Sequence, residues 1–315
     1  MKEQSNMPWL VVVNPNAGVG KGERDWQKIS ALLKKYEIEH EAVLTKRRLH
    51  AMALTVEKIE KGFRKIIVVG GDGTMNEVVN GIFRQKSVFT TDITLGMISV
   101  GTGNDWVRTF NIPTEYEEAI KILKAEKTML QDAGTVKYVN TDCEKVRYFI
   151  NMAGLGFDGL VAQKTNADKD LGRTNPFVYL KNLIASLFAY NSCQTTVEVD
   201  GYRVQDKIFS IGIGIGQFNG GGMRQTPDAL PDDGLFDVVL IKNMSKWSVV
   251  ANVRRLYNGT IKKHRQVETL VGKHIRIESE IPVLLETDGE SLGHSPFEFQ
   301  IVPTSVKVIV NRVNV

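Results

Sequence analysis

The chain has 315 residues, a hydrophobic fraction of 42%, a charged fraction of 24% and a formal net charge of +4. The length suggests two domains, and so small a charge does not indicate a nucleic-acid-binding protein, although it suits an anionic ligand or an anionic membrane face. Cys143 and Cys193 have neither metal-ligand nor redox spacing. A reduced, cytoplasmic location is therefore expected. No apolar run is as long as the ~18 residues of a membrane span, and the N-terminal residues do not have the pattern of a signal peptide.

Strand and helix patterns alternate along the first 130 residues. The strand patterns lie at 9–13, 41–45, 65–69 and 94–99, and the helix patterns at 23–36, 49–63, after Thr74 and at 115–127. Alternation of this kind predicts an α/β domain with a parallel sheet and helices on its faces. Several of the strands are apolar on both sides, as parallel strands buried on both faces should be.

The pattern changes near Gln131. From there most segments alternate like strands, and only two helical stretches interrupt them, at 175–190 and 246–259. This predicts a second, mainly antiparallel domain of the β-sandwich or barrel type. Within it, the repeat "IGIGIG" (211–216) has no side chains on one face, which indicates a bend or a close backbone approach.

Three loops rich in Gly, Asn and Asp follow predicted parallel strands: Asn14–Gly22, Gly70–Thr74 and Gly101–Asp105. The carboxyl ends of parallel strands meet at one edge of a sheet, where α/β proteins bind ligands. Glycines let the backbone approach a phosphate, and a helix N-terminus offers it unpaired N–H groups. Each loop alone could be a strand-to-helix turn with Asp72 or Thr74 as a cap. Three such loops together favour one shared phosphate site.

The usual nucleotide motifs do not fit these loops. Counting back from Gly20 and Lys21, Pro15 stands where a P-loop needs its first glycine, and Gly22 replaces the Ser or Thr. The dinucleotide pattern G-x-G-x-x-G fails in all three loops as well. The residues themselves therefore predict a phosphate or nucleotide site without specifying its class.

Taken together, "NPNAG", "GGDGTMNEVVNG", "GTGNDWVR", "LPDDGLFDV" and "DGE" resemble the diacylglycerol kinase-like lipid kinases, in the right order over almost the whole chain. The resemblance implies a nucleotide-binding α/β domain at 1–131, joined by a returning segment at 303–315, and a β-sandwich lipid domain at 132–302. It also implies an active site in the cleft between them, with ATP and Mg²⁺ as cofactors.

The resemblance assigns site residues one by one. For ATP these are Asn14, Pro15, Asn16, Ala17, Gly18, Thr45, Gly70, Gly71, Asp72, Gly73, Thr74, Met75, Asn76, Thr102, Asn104 and Asp105. For a structural Mg²⁺ they are the Asp233 carboxylate and the carbonyls of Leu230 and Leu235. From the residues alone, the segment "PDDG" could equally be an ordinary turn. The carboxylates of Asp72, Asp105 and Asp232 are further candidates for Mg²⁺ ligands. Asp132 matches a family aspartate near the domain junction, and a structural hydrogen bond is an equal alternative.

The "DGE" segment carries the catalytic carboxylates, Asp288 and Glu290, one of which would accept the proton of the lipid hydroxyl. Without the resemblance, Asp-Gly would be read as an ordinary hairpin turn. Of the two carboxylates, Asp288 is slightly favoured as the base, because the Asp-Gly pair forms the tighter turn.

The predicted function is therefore transfer of the γ-phosphoryl group of ATP to a lipid hydroxyl, as in diacylglycerol, within phospholipid biosynthesis. Two alternatives stay open: an NAD kinase, and a nucleotide- or lipid-binding regulator without catalysis. Peripheral contact with the inner face of the membrane is expected, through the basic clusters Lys46–Arg48 or Arg254–Arg265 unless these are ordinary solvated faces. A homodimer is also compatible with the resemblance, and neither the acceptor lipid nor its acyl chains are specified.

Overall fold

The computed structural model describes residues 7–170 and 176–311. Within them the chain packs as two compact units, the first running to Gln131 and resuming at Thr304, the second covering Asp132–Pro303. These limits differ from the predicted ones only at Pro303, which was expected in the first domain. The predicted first domain also included residues 1–6 and 312–315, which lie outside the described residues.

The first unit alternates strands and helices in the predicted order. Its elements are β1 (Trp9–Val13), α1 (Ala17–Lys35), β2 (His40–Leu44), α2 (His50–Glu60), β3 (Lys65–Gly70), α3 (Asp72–Arg84), β4 (Thr94–Ser99), α4 (Asp105–Thr109) and α5 (Tyr116–Ala125), with a 3₁₀ turn at Thr90–Asp92. The short helix α4 was not predicted, and α3 begins at Asp72 rather than after Thr74.

The strands of the first unit pair in parallel, in the order β4, β3, β1, β2. Lys307 and Val308, from the returning C-terminal segment, pair in parallel with β4 on its other side. β1 is buried along its whole length, and so are Ile66–Val69 of β3. Because both faces of these strands are covered, they read in the sequence as continuous apolar runs.

The second unit is built mainly of strands. Its elements are the last part of β5 (Thr128–Asn140), β6 (Cys143–Phe149), β7 (Met152–Gly156), α6 (Phe157–Asp170), α7 (Pro176–Ala189), β8 (Cys193–Val199), β9 (Tyr202–Gly214), β10 (Phe236–Lys242), α8 (Lys246–Tyr257), a 3₁₀ turn at Ile261–Lys263, β11 (Val267–Gly272), β12 (His274–Ser279), β13 (Leu284–Thr287) and the first part of β14 (Glu290–Ile309). Helix α6 was not predicted.

Pairings in the second unit run in antiparallel fashion along a closed circuit: β7, β13, β14, β12, β8, β9 and back to β7. The long strands β9 and β14 each change partners along their length, which is how a strand passes from one layer of a β-sandwich to the other. Inside the circuit lies an apolar core in which the ring of Phe149 stacks on that of Phe236, with centroids 5.8 Å apart.

Two details of the second unit were hidden in the sequence. The segment "YFINMAG" reads as one strand but is broken at Ile150–Asn151 between β6 and β7. The glycine face of "IGIGIG" is covered closely, because a Cβ atom on Gly212 would lie 3.0 Å from Gln225 and one on Gly214 would lie 2.1 Å from Thr226. The face without side chains is therefore filled by the side chains of Gln225 and Thr226.

Helices α6, α7 and α8 pack on a second apolar cluster. It includes Phe157 and Val161 of α6, Leu187 of α7 and Phe209 of β9, with Val249 of α8 packed against it. Among the described residues, no helix has both the length and the apolar character needed to cross a membrane.

Candidate active site

The three glycine loops of the first unit meet, as predicted. Asn14 Nδ2, in the first loop, donates a hydrogen bond to Thr74 Oγ1, in the second, at 2.9 Å. A Cβ atom on Gly101, in the third, would lie 2.7 Å from the Cα atom of Gly71. The carboxyl ends of β1, β3 and β4 therefore come together, through one side-chain hydrogen bond and one close approach of backbone.

The first loop opens α1 with a left-handed turn. Gly18, Val19 and Gly20 have φ values of 60°, 60° and 77°. A Cβ atom on Gly18 would lie 1.9 Å from the carbonyl oxygen of Val100, so only glycine fits. A β-branched residue such as Val19 is rarely found at positive φ, and such strain concentrates at ligand-binding turns.

The second loop leads into α3 with Gly71 at the helix N-terminus. Thr74, Met75 and Asn76 are all buried, and Asn76 Oδ1 accepts a hydrogen bond from Asn80 Nδ2 at 3.2 Å. Of the residues assigned to ATP in this loop, Met75 and Asn76 therefore direct their side chains into the unit.

Asp72 joins the second loop to the third. Its Oδ1 accepts a hydrogen bond from the amide of Trp106 at 3.1 Å, and its Oδ2 accepts one from the amide of Asp105 at 3.3 Å. Burial raises the pKa of Asp72, whereas these amides lower it by stabilising the charged form. The carboxylate thus caps α4, a helix that the sequence did not reveal, and not its own helix α3.

The third loop presents Thr102 at the surface and buries its other two predicted residues. Asn104 adopts left-handed geometry with φ 57°, and its Oδ1 is hydrogen-bonded to Ser99 Oγ. Asp105 is buried at the first turn of α4, with the Arg108 Nε atom 3.8 Å from its Oδ1. Only Thr102 therefore offers an exposed side chain to a ligand here.

Thr45 lies directly after β2, where its amide donates to the carbonyl of Val13 at 2.8 Å. The segment that follows is held by Glu77, whose carboxylate accepts from the amides of Leu49 at 2.7 Å and Ala51 at 3.0 Å. Sequence reasoning missed Glu77, because a glutamate inside a helix carries no local signal that it caps another helix.

In the second unit, Asp288 holds the break between β6 and β7. The residue is 5% exposed and has φ 48°. Its Oδ2 accepts from the amide of Ile150 at 3.1 Å, and its Oδ1 accepts from the amides of Asn151 and Met152 at 3.0 and 3.1 Å. Both carboxylate oxygens are therefore engaged by backbone, whereas Glu290, two residues on, is half-buried at the start of β14.

A third carboxyl group, Glu286, lies in β13 just before this turn and was not predicted. It is 3% exposed; its Oε2 accepts from the amide of Gly289 at 2.8 Å, and its Oε1 accepts from Asn219 Nδ2 at 3.2 Å. Burial, aided by the nearby charges of Asp158 and Asp288, raises the pKa of Glu286 to about 8. This carboxyl group is therefore neutral at mildly acidic pH, where Asp and Glu are usually charged.

Glu286 belongs to a buried polar network. Asn219 Nδ2 also lies 3.3 Å from Gln225 Oε1, and Gln225 Nε2 donates to Asp158 Oδ2 at 2.7 Å. Ser210 Oγ donates to the same oxygen at 2.7 Å. Burial raises the pKa of Asp158 too, while these two donors oppose the rise. Side chains that are far apart in the sequence thus support the turn that carries the predicted catalytic carboxylates.

The predicted metal loop is ordered by hydrogen bonds of its own. Asp233 Oδ1 accepts from the amide of Leu235 at 3.0 Å, and Asp132, fully buried, accepts from the amide of Gly234 at 2.7 Å. The structural hydrogen bond considered for Asp132 is therefore present. Burial, together with repulsion from Asp233 and Asp228, raises the pKa of Asp237 to about 6.

Hard oxygen donors and unbalanced negative charge are the chemistry that suits Mg²⁺, so this loop fits the predicted ion. In the part of the chain that the structure describes, no three His, Cys, Asp or Glu side chains are arranged to hold a metal by themselves. Any ion at this loop would therefore depend on backbone carbonyls, including those assigned to Leu230 and Leu235.

Comparison with known proteins gives the family. Residues 8–136 match the diacylglycerol kinase catalytic domain, and residues 151–310 match the YegS C-terminal NAD kinase beta sandwich-like domain. The "Putative lipid kinase YtlR" of Bacillus subtilis (strain 168) is 30% identical over 95% of this chain and 98% of its own length. The diacylglycerol kinase of Staphylococcus carnosus (strain TM300) is 26% identical over 95% of this chain and 93% of its own.

Solved structures share the fold. A diacylglycerol kinase from Bacillus anthracis str. Sterne aligns with a TM-score of 0.70 and 23% identity over 96% of this chain and 97% of its own. Yeast NADH kinase aligns with a TM-score of 0.55 and 13% identity over 97% of this chain and 84% of its own. Because both domains and a full-length relative match, the chain belongs to the diacylglycerol kinase-like lipid kinases and is a kinase.

Proposed function

We propose that this kinase transfers the γ-phosphoryl group of ATP to the hydroxyl group of a membrane lipid such as diacylglycerol. The observation that carries the proposal is the meeting of the three glycine loops within the segment that matches the diacylglycerol kinase catalytic domain. Phosphoryl transfer depends mainly on positioning and on neutralising charge, and backbone amides at a strand-to-helix edge can do both for a triphosphate.

In this proposal the residues of the first unit bind and orient ATP. The left-handed turn at Gly18–Gly20 and the N-terminus of α3 supply backbone N–H groups, and Thr102 supplies an exposed hydroxyl. The carboxylate oxygens of Asp72 accept hydrogen bonds from the first amides of α4. Asp72 therefore fixes the position of the third loop relative to the second. It is a positioning residue rather than a ligand of the phosphates.

For the proton acceptor we favour Glu290 over Asp288. A general base must reach the hydroxyl proton of its substrate, and Asp288 already accepts three backbone hydrogen bonds in a buried turn. Glu290 is adjacent in the same turn and half-buried. The tight Asp-Gly turn, which slightly favours Asp288 in the sequence, has a structural use here, because the Asp288 carboxylate binds the amides of the break between β6 and β7.

Mg²⁺ would have two uses in this scheme. An ion bound with ATP would neutralise phosphate charge, and an ion at the loop of Asp233 would stabilise that loop through the Asp233 carboxylate and the carbonyls of Leu230 and Leu235. The chemistry of the chain itself consists of holding ATP on backbone amides and accepting one proton at a carboxylate.

The test is transfer of label from γ-labelled ATP to a panel of acceptors: diacylglycerol, phosphatidylglycerol, sphingoid bases and NAD. Labelled lipid is expected, with diacylglycerol as the leading acceptor. Labelled NADP without labelled lipid would contradict the proposal in favour of an NAD kinase. Binding of ATP with no labelled product from any acceptor would favour a regulator.

A further inference from the structure

Two helices of the second unit expose a continuous apolar surface, here called the helical patch: Ile184 and Phe188 of α7 with Trp247, Val250 and Tyr257 of α8. Trp247 is 75% exposed and Phe188 54% exposed. Their rings meet edge to face with centroids 6.2 Å apart, which joins the two helices into one surface. Exposed aromatic rings grouped in this way mark an interaction surface.

The patch is not exposed because its helices pack poorly. Leu187 of α7 is buried, and Val249 of α8 packs against the same apolar cluster. The Lys246 Nζ atom donates to the carbonyl of Tyr190, and Ser245 Oγ caps α8 by accepting from the amide of Ser248 at 3.2 Å. Helix α8 is therefore anchored by one apolar face and presents a second one outward.

The spacing along α8 shows that the outer face is a regular stripe. Trp247, Val250, Arg254 and Tyr257 follow each other at intervals of three and four residues, so they lie on one side of the helix. An arginine thus sits among exposed aromatic and aliphatic side chains, which is typical of helices at a membrane interface.

The charged side chains of the segment that contains α8 and the turn after it are all positive. Between Met244 and Arg265 the sequence contains no Asp or Glu, and its cations beyond Lys246 are Arg254, Arg255, Lys262, Lys263 and Arg265. Lys262 pairs with Asp228 from another loop, whereas Arg254, Lys263 and Arg265 are exposed. Exposed aromatic rings beside cations of one sign are the combination that binds helices to the interface of an anionic bilayer.

We propose that the helical patch docks this enzyme on an anionic lipid bilayer. The rings of Phe188 and Trp247 insert among the lipid headgroups, and the cations of Arg254 and Lys263 pair with the negative charges of those headgroups. The inference rests on the proposed function in one respect, which is that the lipid substrate is taken from a bilayer. The docking itself follows from the surface.

The patch is connected to the turn of the candidate base. Helix α6 shares the apolar cluster with α7 and α8, and its Asn166 Nδ2 donates to the carbonyl of Gly289 at 3.4 Å. Gly289 separates Asp288 from Glu290. Docking through α7 and α8 would therefore fix, at the bilayer, the group of helices that contacts the turn.

The test is flotation of the full chain with vesicles of phosphatidylcholine alone or mixed with phosphatidylglycerol. The wild type is expected to bind the mixed vesicles and to release them at high salt.

The Phe188→Ser/Trp247→Ser variant should bind about tenfold or more weakly, since it loses buried apolar area. The Arg254→Gln/Lys263→Gln variant should bind about 25-fold more weakly at low salt, at about fivefold per charge. The matched control, Tyr202→Ser/Arg203→Gln, changes an exposed aromatic and an exposed cation of β9 and should bind normally.

Tryptophan fluorescence gives a second readout. Trp247 is strongly exposed, whereas Trp9 and Trp106 are buried and Trp26 is half-buried, so vesicles should shift the emission of Trp247 to the blue. Trp247→Phe should lose this shift and keep vesicle binding within a few fold. A shift that persists in Trp247→Phe would place the contact elsewhere.

Three results would overturn the proposal: a wild type that does not bind anionic vesicles, patch variants that bind like the wild type, or a dimer in the absence of lipid that the patch variants convert to monomer. Assays on bilayer-bound and on water-soluble short-chain diacylglycerol separate this failure from that of the proposed function. If docking is right, the patch variants lose more activity on bilayers than on the short-chain lipid. If no lipid is phosphorylated while the patch still binds vesicles, the proposed function fails and the docking surface stands.

Discussion

The two candidate sites of this kinase are built in different ways. In the first unit, close approaches between backbone segments define the loops, as at Gly18 against Val100 and at Gly71 against Gly101. In the second unit, side chains define the turn, with Asp288 and Glu286 bonded to amides and supported by a buried network. Substitutions in the first should therefore act through sterics, and substitutions in the second through hydrogen bonding and charge.

The largest effect is expected from Gly18→Ala. The new Cβ atom would lie 1.9 Å from the Val100 carbonyl oxygen, so the turn must move, and a displacement of about 1 Å at a binding site costs on the order of 100-fold in rate. Steady-state activity with varied ATP measures this. Gly20→Ala is the matched control, because Gly20 also has positive φ but its Cβ would meet only the end of Arg24 at 4.0 Å. Equal losses in the two variants would show that space at Gly18 is not the cause.

Glu290→Gln is expected to come next. If Glu290 accepts the hydroxyl proton, kcat should fall by about 10²–10⁴-fold, measured under conditions in which urea unfolding shows the variant to be folded. Glu278→Gln, at an exposed position of β12, is the control and should retain activity. Full activity of Glu290→Gln would rule out Glu290 as the base.

Asp288→Asn should affect stability first. An asparagine offers one acceptor oxygen and one NH₂ group where the fold presents three amide donors, so about 2–3 kcal/mol of the free energy of unfolding should be lost. Urea unfolding measures it, together with activity under conditions where the variant is folded. A variant as stable as the wild type but inactive would return the role of base to Asp288.

The effect of Glu286→Gln is expected to be smallest near pH 5 and to appear as a pH dependence. The folded pKa of about 8 lies above the unfolded value of about 4.3, so between these values the folded chain binds a proton that the unfolded chain does not. The free energy of unfolding of the wild type should therefore fall as the pH rises through this window. Glu286→Gln removes the titrating group, and its stability relative to the wild type should rise by on the order of a few kcal/mol from pH 5 to pH 8.

Urea unfolding at several pH values tests this, again with Glu278→Gln as the control, whose curve should run parallel to that of the wild type. A Glu286→Gln curve that is also parallel would show that the carboxyl group is not held neutral in the fold. Such a result would weaken the contrast between the two sites, because the buried carboxyl groups would then contribute less to the stability of the turn than their burial indicates.

Much of the first unit could be predicted because its signals are local. Apolar runs gave the strands, a spacing of three and four gave the helices, and glycines marked the loops. What escaped prediction was α4 and the use of Asp72 to cap it, since five residues are too few to show a period and a cap across 33 residues leaves no pattern. Glu77 escaped for the same reason.

In the second unit, less of the site could be predicted. "DGE" marked the turn, but the choice between Asp288 and Glu290 depends on where the amides of Ile150, Asn151 and Met152 lie. Glu286 carries no signal in the sequence, and only the surroundings formed by Asn219 and Asp158 give it a pKa near neutrality.

By itself, the sequence determined the order of the elements, the two units and the loops that meet at the end of the parallel sheet, because periodicity and glycine placement are properties of neighbouring residues. The tertiary structure alone decided which carboxylates are occupied by backbone amides, which are held neutral, and which apolar side chains of α7 and α8 remain outside. Burial and hydrogen bonding between distant segments set these properties, and no local pattern encodes them.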